Sequence, residues 1–108
     1  MTREEALAGH RKLWNEIADM IERGVALPTI NDYKINALKA IGEKRILICY
    51  CYLCDFALTC ADCPVRWDGA TCRDNEYRDF YIQLKDKNYT KAAFLARTIA
   101  NLPERVVE

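Results

Sequence analysis

All six cysteines of this 108-residue chain lie within residues 49–72. Two pairs share one spacing: two residues separate Cys51 from Cys54, and two separate Cys60 from Cys63. That spacing lets one short turn present both sulfurs to a single ion, and two such pairs complete a tetrahedron of four thiolates. The pattern therefore predicts one structural zinc ion, bound by Cys51, Cys54, Cys60 and Cys63.

Three other uses of these thiols remain open. Six cysteines can form three disulfides in 15 ways, although the N-terminal stretch MTREEALAGHRKLW lacks the apolar core of a secretion signal. A C-x-x-C pair can also be redox-active, and four thiolates can hold an iron–sulfur cluster. Within the zinc interpretation, Cys72 is a reserve ligand that could replace Cys60 or Cys63. Cys49 is interpreted as a small hydrophobe that packs with the apolar residues around it.

The charge balance narrows the classes of partner. The chain carries 16 basic and 16 acidic residues, so its formal net charge is zero. A neutral chain has no strongly basic field to capture nucleic acid non-specifically, and zero net charge argues against wholesale mimicry of DNA by an acidic surface. No run approaches the roughly 20 apolar residues that span a bilayer. We therefore expect a cytoplasmic chain that binds neither nucleic acid nor membrane directly.

Helical periodicity lies on both sides of the cysteine segment. On the N-terminal side it predicts helices over about Thr2–Arg23 and Asn31–Ile41. On the C-terminal side helical spacing recurs in residues 75–87 and again over Thr90–Leu102. The four segments indicate that most of the chain outside the cysteines is helical.

The predicted fold class is mainly α, with about four helices packed around a short zinc-binding cysteine knuckle. The chain is long enough for one domain, residues 1–108. Its helical parts are residues 1–42 and 74–103, and its cysteine insert is residues 46–73. The dense apolar run at residues 46–52 fits either a short strand or hairpin or a buried helix, because periodicity cannot separate them.

Three stretches together carry a family resemblance. They are HRKLWNEIA at residues 10–18, the pair of C-x-x-C units ending in CADCPVRW at residues 60–67, and ARTIANLPERV at residues 96–106. In this order they resemble a family of small phage and prophage proteins of Gram-positive bacteria. The resemblance covers most of the chain, and its most specific part is C-x2-C followed by C-x2-C-P-x2-W with a trailing cysteine. Cys49 departs from it, since the family pattern does not require that residue.

The resemblance implies a phage origin and a compact domain held together by a metal. Some phage proteins of this size are anti-CRISPR proteins, including zinc-containing inhibitors of type II-A Cas9. Four thiolates would close the zinc shell and leave no open position for catalysis, so we expect a non-enzyme. By the analogy we expect an inhibitor that binds Cas9 of the bacterial host directly and blocks guide or target-DNA loading. The alternative is a small zinc-knuckle protein of a phage that binds nucleic acid or acts as an adaptor.

Five further residues have more than one interpretation each. His10, the only histidine, is interpreted as a partly buried helix residue, with a zinc ligand or a catalytic base as alternatives. The resemblance supplies no residues for contact with a partner. Exposed aromatic residues and arginines carry most interface energy, so the candidates are Tyr77, Tyr81, Tyr89 and Arg97. Each of these four could instead be ordinary core or solvated surface.

Overall fold

The computed structural model describes residues 1–47, 50–57, 63–65 and 76–104. The helices in these residues are α1 (Arg3–Glu22), α2 (Ile30–Ala40), α3 (Tyr52–Ala57), α4 (Glu76–Lys85) and α5 (Tyr89–Ala100). The mainly helical fold class is confirmed.

Helix α1 begins and ends where its sequence indicates. The Thr2 hydroxyl oxygen accepts a hydrogen bond from the backbone N–H of Glu5 at 3.1 Å, which caps the first turn. After the helix, Gly24 adopts φ 85°, a left-handed conformation that glycine tolerates without steric cost. The apolar residues that recur at helical spacing along α1 are buried: Leu7, Trp14, Ile17, Ala18 and Ile21. Helix α1 therefore contributes a continuous buried face to the core.

Helix α2 is fixed to the turn before it by a tyrosine. Thr29 caps the helix by accepting the backbone N–H of Asp32 at 3.2 Å. The fully buried Tyr33 donates its hydroxyl to the Val25 carbonyl at 2.8 Å and accepts the Leu27 N–H at 3.1 Å. These two bonds satisfy backbone groups of the connecting segment, so the α1–α2 turn is held against the core.

Helices α4 and α5 form a hairpin that closes the other side of α1. Asn88 caps α5 by accepting the Lys91 N–H at 3.4 Å. Trp14 of α1 meets Tyr77 and Phe80 of α4 edge-to-face, with ring centroids 5.9 and 5.2 Å apart. Helix α1 itself packs against α2, α3 and α5, so the first helix contacts elements from both ends of the sequence.

The prediction for residues 46–57 needs correction. Residues 46–52 fitted either a short strand or hairpin or a buried helix, and no helix was predicted in the rest of the cysteine insert, residues 53–73. Instead Ile46 is 95% exposed, Tyr50 takes φ 52°, and the helix α3 begins at Tyr52. A helix of six residues spans less than two turns, which is too short to produce a readable hydrophobic period.

One β-like contact exists among the described residues, an isolated antiparallel bridge between Val65 and Glu104. Arg3 of α1 joins the same region: its guanidinium donates to the Pro64 carbonyl at 3.4 Å and lies 3.3 Å from the Glu104 carboxylate. Pro64 and Val65, directly after the second C-x-x-C pair, thus contact the start of α1 and the segment after α5. Across the described residues, no helix combines the length and the apolar character that a membrane crossing needs.

Candidate metal centre

The first C-x-x-C pair lies at the start of α3. The Cys51 carbonyl accepts the backbone N–H of Asp55 at 3.0 Å, so Cys51 precedes the first helical residue and Cys54 follows one turn later. Both cysteines are half-buried and neither is in a disulfide. A helical turn thus brings the two thiols to the same end of α3, as a shared ion requires.

The surroundings of Cys51 favour its thiolate form. Hydrogen bonds from the Cys54 side chain, and secondarily from the backbone N–H groups of Cys54 and Leu53, lower the pKa of the Cys51 thiol below its ordinary value. Burial opposes this shift, and the positive charge of Lys34 adds to it. Metal ions bind thiolates and not thiols. The Cys54 side chain, with the local backbone N–H groups, therefore favours the form of Cys51 that a metal ion binds.

Helix α3 is seated on α1 through an aromatic ring in contact with a glycine. The buried Tyr52 ring lies so close to Gly9 that a Cβ atom at residue 9 would overlap it. The Tyr52 hydroxyl donates to Glu43 at 2.9 Å, and Glu43 also accepts from the Arg45 guanidinium at 2.6 and 3.1 Å. The Arg45 bonds in particular lower the pKa of Glu43 to about 2. Gly9 and Glu43 thus fix the residue next to Cys51.

The Gly9–Tyr52 contact predicts that Gly9→Ala destabilises the wild type but stabilises a variant that lacks the Tyr52 ring. Gly9→Ala should lower the free energy of unfolding by about 1–2 kcal/mol, because the overlap with Tyr52 outweighs the gain of roughly 1 kcal/mol in helix propensity. In a Tyr52→Ala background the overlap is gone, and the same substitution should stabilise the protein. Urea unfolding of the four proteins of this cycle measures both effects. A destabilisation of equal size in both backgrounds would contradict the proposed contact.

The second C-x-x-C pair is described in part. Cys63 is buried at 9% exposure, and the next residue, Pro64, is bonded to Arg3 as described above. Cys60 lies outside the described residues, as do Cys49, Cys72 and Trp67. Of the four predicted ligands, the structure therefore brings together Cys51 and Cys54 and places Cys63 in a buried segment.

A complete four-ligand metal site would need residues beyond those that the structure describes. Within the described residues, no group of three or more histidine, cysteine or acidic side chains is arranged to hold an ion. A four-thiolate shell that includes Cys51 and Cys54 requires two further cysteines. The zinc site thus stays a prediction. Of its two cysteine pairs, Cys51 and Cys54 have a defined geometry in the described residues.

Comparison with known proteins identifies no family for this chain. No protein-family model matches the chain, and neither the curated proteins nor the solved structures contain a match.

His10 is more deeply buried than the sequence indicated. Its side chain is 1% exposed, and Nε2 donates to the Ile99 carbonyl of α5 at 2.8 Å. Burial lowers the pKa of His10 to about 4, and the nearby charges of Arg11 and Lys34 act in the same direction. A neutral imidazole bonded to a main-chain carbonyl joins α1 to α5. This geometry favours the structural interpretation of His10.

The three tyrosines among the four candidate contact residues differ in exposure. Tyr81 is 52% exposed, whereas Tyr77 and Tyr89 are partly buried against the core. Phe94, which was not among the candidates, is 70% exposed on α5. Phe94 is out of phase with the buried stripe of α5, formed by Ala92, Ala93, Ala96, Ile99 and Ala100, and that phase is the signal that could have found it.

Arg97 makes its contacts within the chain. Its guanidinium lies 2.6 Å from the Asp19 carboxylate and 2.9 Å from that of Glu22, and it donates to the Asn15 side chain at 3.3 Å. All three partners lie on α1. Arg97 therefore links α5 to α1, which does not favour its interpretation as a contact for a partner protein.

We expect Arg97→Ala to lower the free energy of unfolding by about 1 kcal/mol, because a half-exposed ion-pair network is worth little more than that. Arg97→Lys should recover only part of the loss, since lysine lacks the fork that reaches two carboxylates at once. Chemical unfolding at low and high salt measures both values. A loss that salt does not reduce would show that packing, and not charge, is the source of the effect.

Proposed function

We propose that the chain is a helical domain stapled by one structural zinc ion, with Cys51, Cys54, Cys60 and Cys63 as ligands. The observation that carries this proposal is the geometry at α3. There, backbone N–H groups and the Cys54 side chain favour the Cys51 thiolate, and a helical turn sets the two sulfurs on one side. When bound, zinc would cross-link two parts of the chain without chemistry of its own.

The function proposed for this domain is direct inhibition of a type II Cas9 in the cytoplasm of a bacterial host. Its support is the resemblance to phage proteins together with two exposed aromatic residues, Tyr81 and Phe94, of the kind that anchor protein interfaces. The zero net charge favours occlusion by a specific patch over mimicry of DNA. The inhibitor would occupy Cas9 before guide RNA or target DNA is loaded.

The test measures zinc and inhibition on the same preparation. Protein purified without added metal should contain one zinc per chain by mass spectrometry, and it should reduce DNA cleavage by type II-A Cas9. Inhibition should be strongest when the protein is added before guide RNA or before target DNA, because the proposed mechanism blocks loading. Phe94→Ala and Tyr81→Ala should weaken inhibition, whereas Lys12→Ala, an exposed residue of α1, serves as the matched control.

Each part of the proposal can fail separately. Protein without metal, with a mass about 2 Da lower for each cysteine pair, would indicate disulfides and overturn the zinc site. Zinc-loaded protein that leaves Cas9 cleavage unchanged would overturn the inhibitor function alone. Binding to single-stranded nucleic acid that weakens steeply with salt would then favour the zinc-knuckle alternative.

A further inference from the structure

Helix α4 buries little of its own surface. Of its ten residues only Phe80 is buried, while two large apolar side chains, Tyr81 and Ile82, are 52% and 38% exposed. Exposed apolar surface marks an interaction site when it is contiguous and rimmed by polar residues, and Tyr81 and Ile82 are neighbours in the chain.

The charges around Ile82 are arranged in two flanks. Successive residues of a helix turn by about 100°, so Arg78 and Lys85 lie roughly 40° and 60° to one side of Ile82. Asp86 and Asp79 lie roughly 40° and 60° to the other side. Asp86 follows the helix but continues its path, since its N–H donates to the Ile82 carbonyl at 3.0 Å. We call these five residues the α4 face: an apolar centre with one basic and one acidic flank.

The charges of the α4 face are not neutralised within the described structure. All four charged residues are exposed, and none forms an ion pair with another described residue. Their spacing along α4 also excludes pairing of opposite charges at i,i+3 or i,i+4, the separations that stabilise a helix internally. Each flank is therefore available to a charge of opposite sign on a partner.

We propose that the α4 face binds a second copy of this chain, with the two α4 helices parallel about a two-fold axis. In a parallel pair the basic flank of one copy faces the acidic flank of the other, on both sides of the Ile82 contact. An antiparallel pair would set each flank against its own counterpart and bring like charges together. Charge complementarity thus selects both the occupant and its direction.

The interface is small, because it centres on one ten-residue helix. We expect a dissociation constant in the range of about 10–100 µM, at the weak end for specific association. This inference does not depend on zinc or on Cas9, since the α4 face contains none of the proposed ligands.

Sedimentation of the full chain over a concentration series tests the pairing. The wild type should shift from monomer to dimer, whereas two charge variants should stay monomeric: Arg78→Glu with Lys85→Glu, and Asp79→Lys with Asp86→Lys. Mixing the two variants should restore a dimer, because one then presents an acidic face and the other a basic face. Lys12→Glu with Lys39→Glu changes the net charge as much as the first variant does, at exposed residues of α1 and α2, and should dimerise normally.

Salt dependence tests the direction of the helices. Raising the salt concentration should weaken the wild-type dimer severalfold, because screening removes an attraction between flanks. A dimer strengthened by salt would overturn the parallel arrangement. A wild type that remains monomeric at about 300 µM, well above the expected dissociation constant, would overturn the pairing itself. So would a dimer that both charge variants retain, or a mixture of the two variants that stays monomeric.

Discussion

Cys54→Ala is expected to lose zinc and to lower the free energy of unfolding by about 4 kcal/mol or more. The reason follows from the proposed site. A structural zinc contributes its binding free energy to folding, because the unfolded chain holds no preformed set of ligands. Removal of one thiolate opens the closed shell and also removes the side-chain hydrogen bond that favours the Cys51 thiolate. Zinc content and urea unfolding measure the two losses.

Two comparisons make this prediction specific. Cys49→Ala is the matched control, since Cys49 is outside the predicted ligand set, and it should retain one zinc per chain. A strong chelator should lower the stability of the wild type to nearly that of Cys54→Ala, and should affect the variant little. If reducing agent destabilised the wild type and chelator did not, disulfides would explain the cysteines better than zinc.

Acid should destabilise the protein through His10 between pH 6.5 and 4. The pKa of His10 is lowered from 6.5 to about 4 by burial, so in this window the unfolded chain binds a proton that the folded chain resists. Stability from this group is complete above pH 6.5 and is lost as the pH falls toward 4. The expected loss by pH 4.5 is about 2–3 kcal/mol, from roughly 1.4 kcal/mol per pKa unit.

A variant without the imidazole isolates this effect. His10→Gln cannot titrate and keeps a donor for the Ile99 carbonyl, so its stability should change less than that of the wild type between pH 7.5 and 4.5. Loss of zinc at low pH would affect both proteins, and the difference between their slopes cancels it. Urea unfolding at the two pH values gives the slopes. Equal slopes would show that His10 is protonated at the same pH whether folded or not.

The sequence predicted the long helices well because each carries its own boundary signals. Thr2 caps α1 as its spacing from Glu5 indicates, and α5 runs from Tyr89 to Ala100, within two residues of its predicted ends. Helix α3 was missed because six residues are too few for a period. The contact between Gly9 and Tyr52 was also invisible in sequence, since it joins residues that are distant along the chain and carry no shared motif.

The sequence indicated which cysteines could share an ion, but it did not indicate which contacts between helices surround the candidate residues. The spacing of Cys51 and Cys54 indicated a shared ion, and the structure places them one helical turn apart. Sequence could not indicate that Arg97 binds Asp19 and Glu22, because pairing between helices depends on the tertiary fold. The exposure of Phe94 was open to prediction, because Phe94 is out of phase with the buried stripe of α5.

The pairing of α1 with α5 has a consequence for synthesis on the ribosome. His10 bonds to Ile99, and Arg97 bonds to Glu22. These contacts of the first helix can form only after the last helix has been synthesised. At a translation rate of about 5–20 residues per second, α1 spends several seconds with part of its apolar stripe uncovered. A nascent chain of this kind is a natural client for ribosome-associated chaperones during that interval.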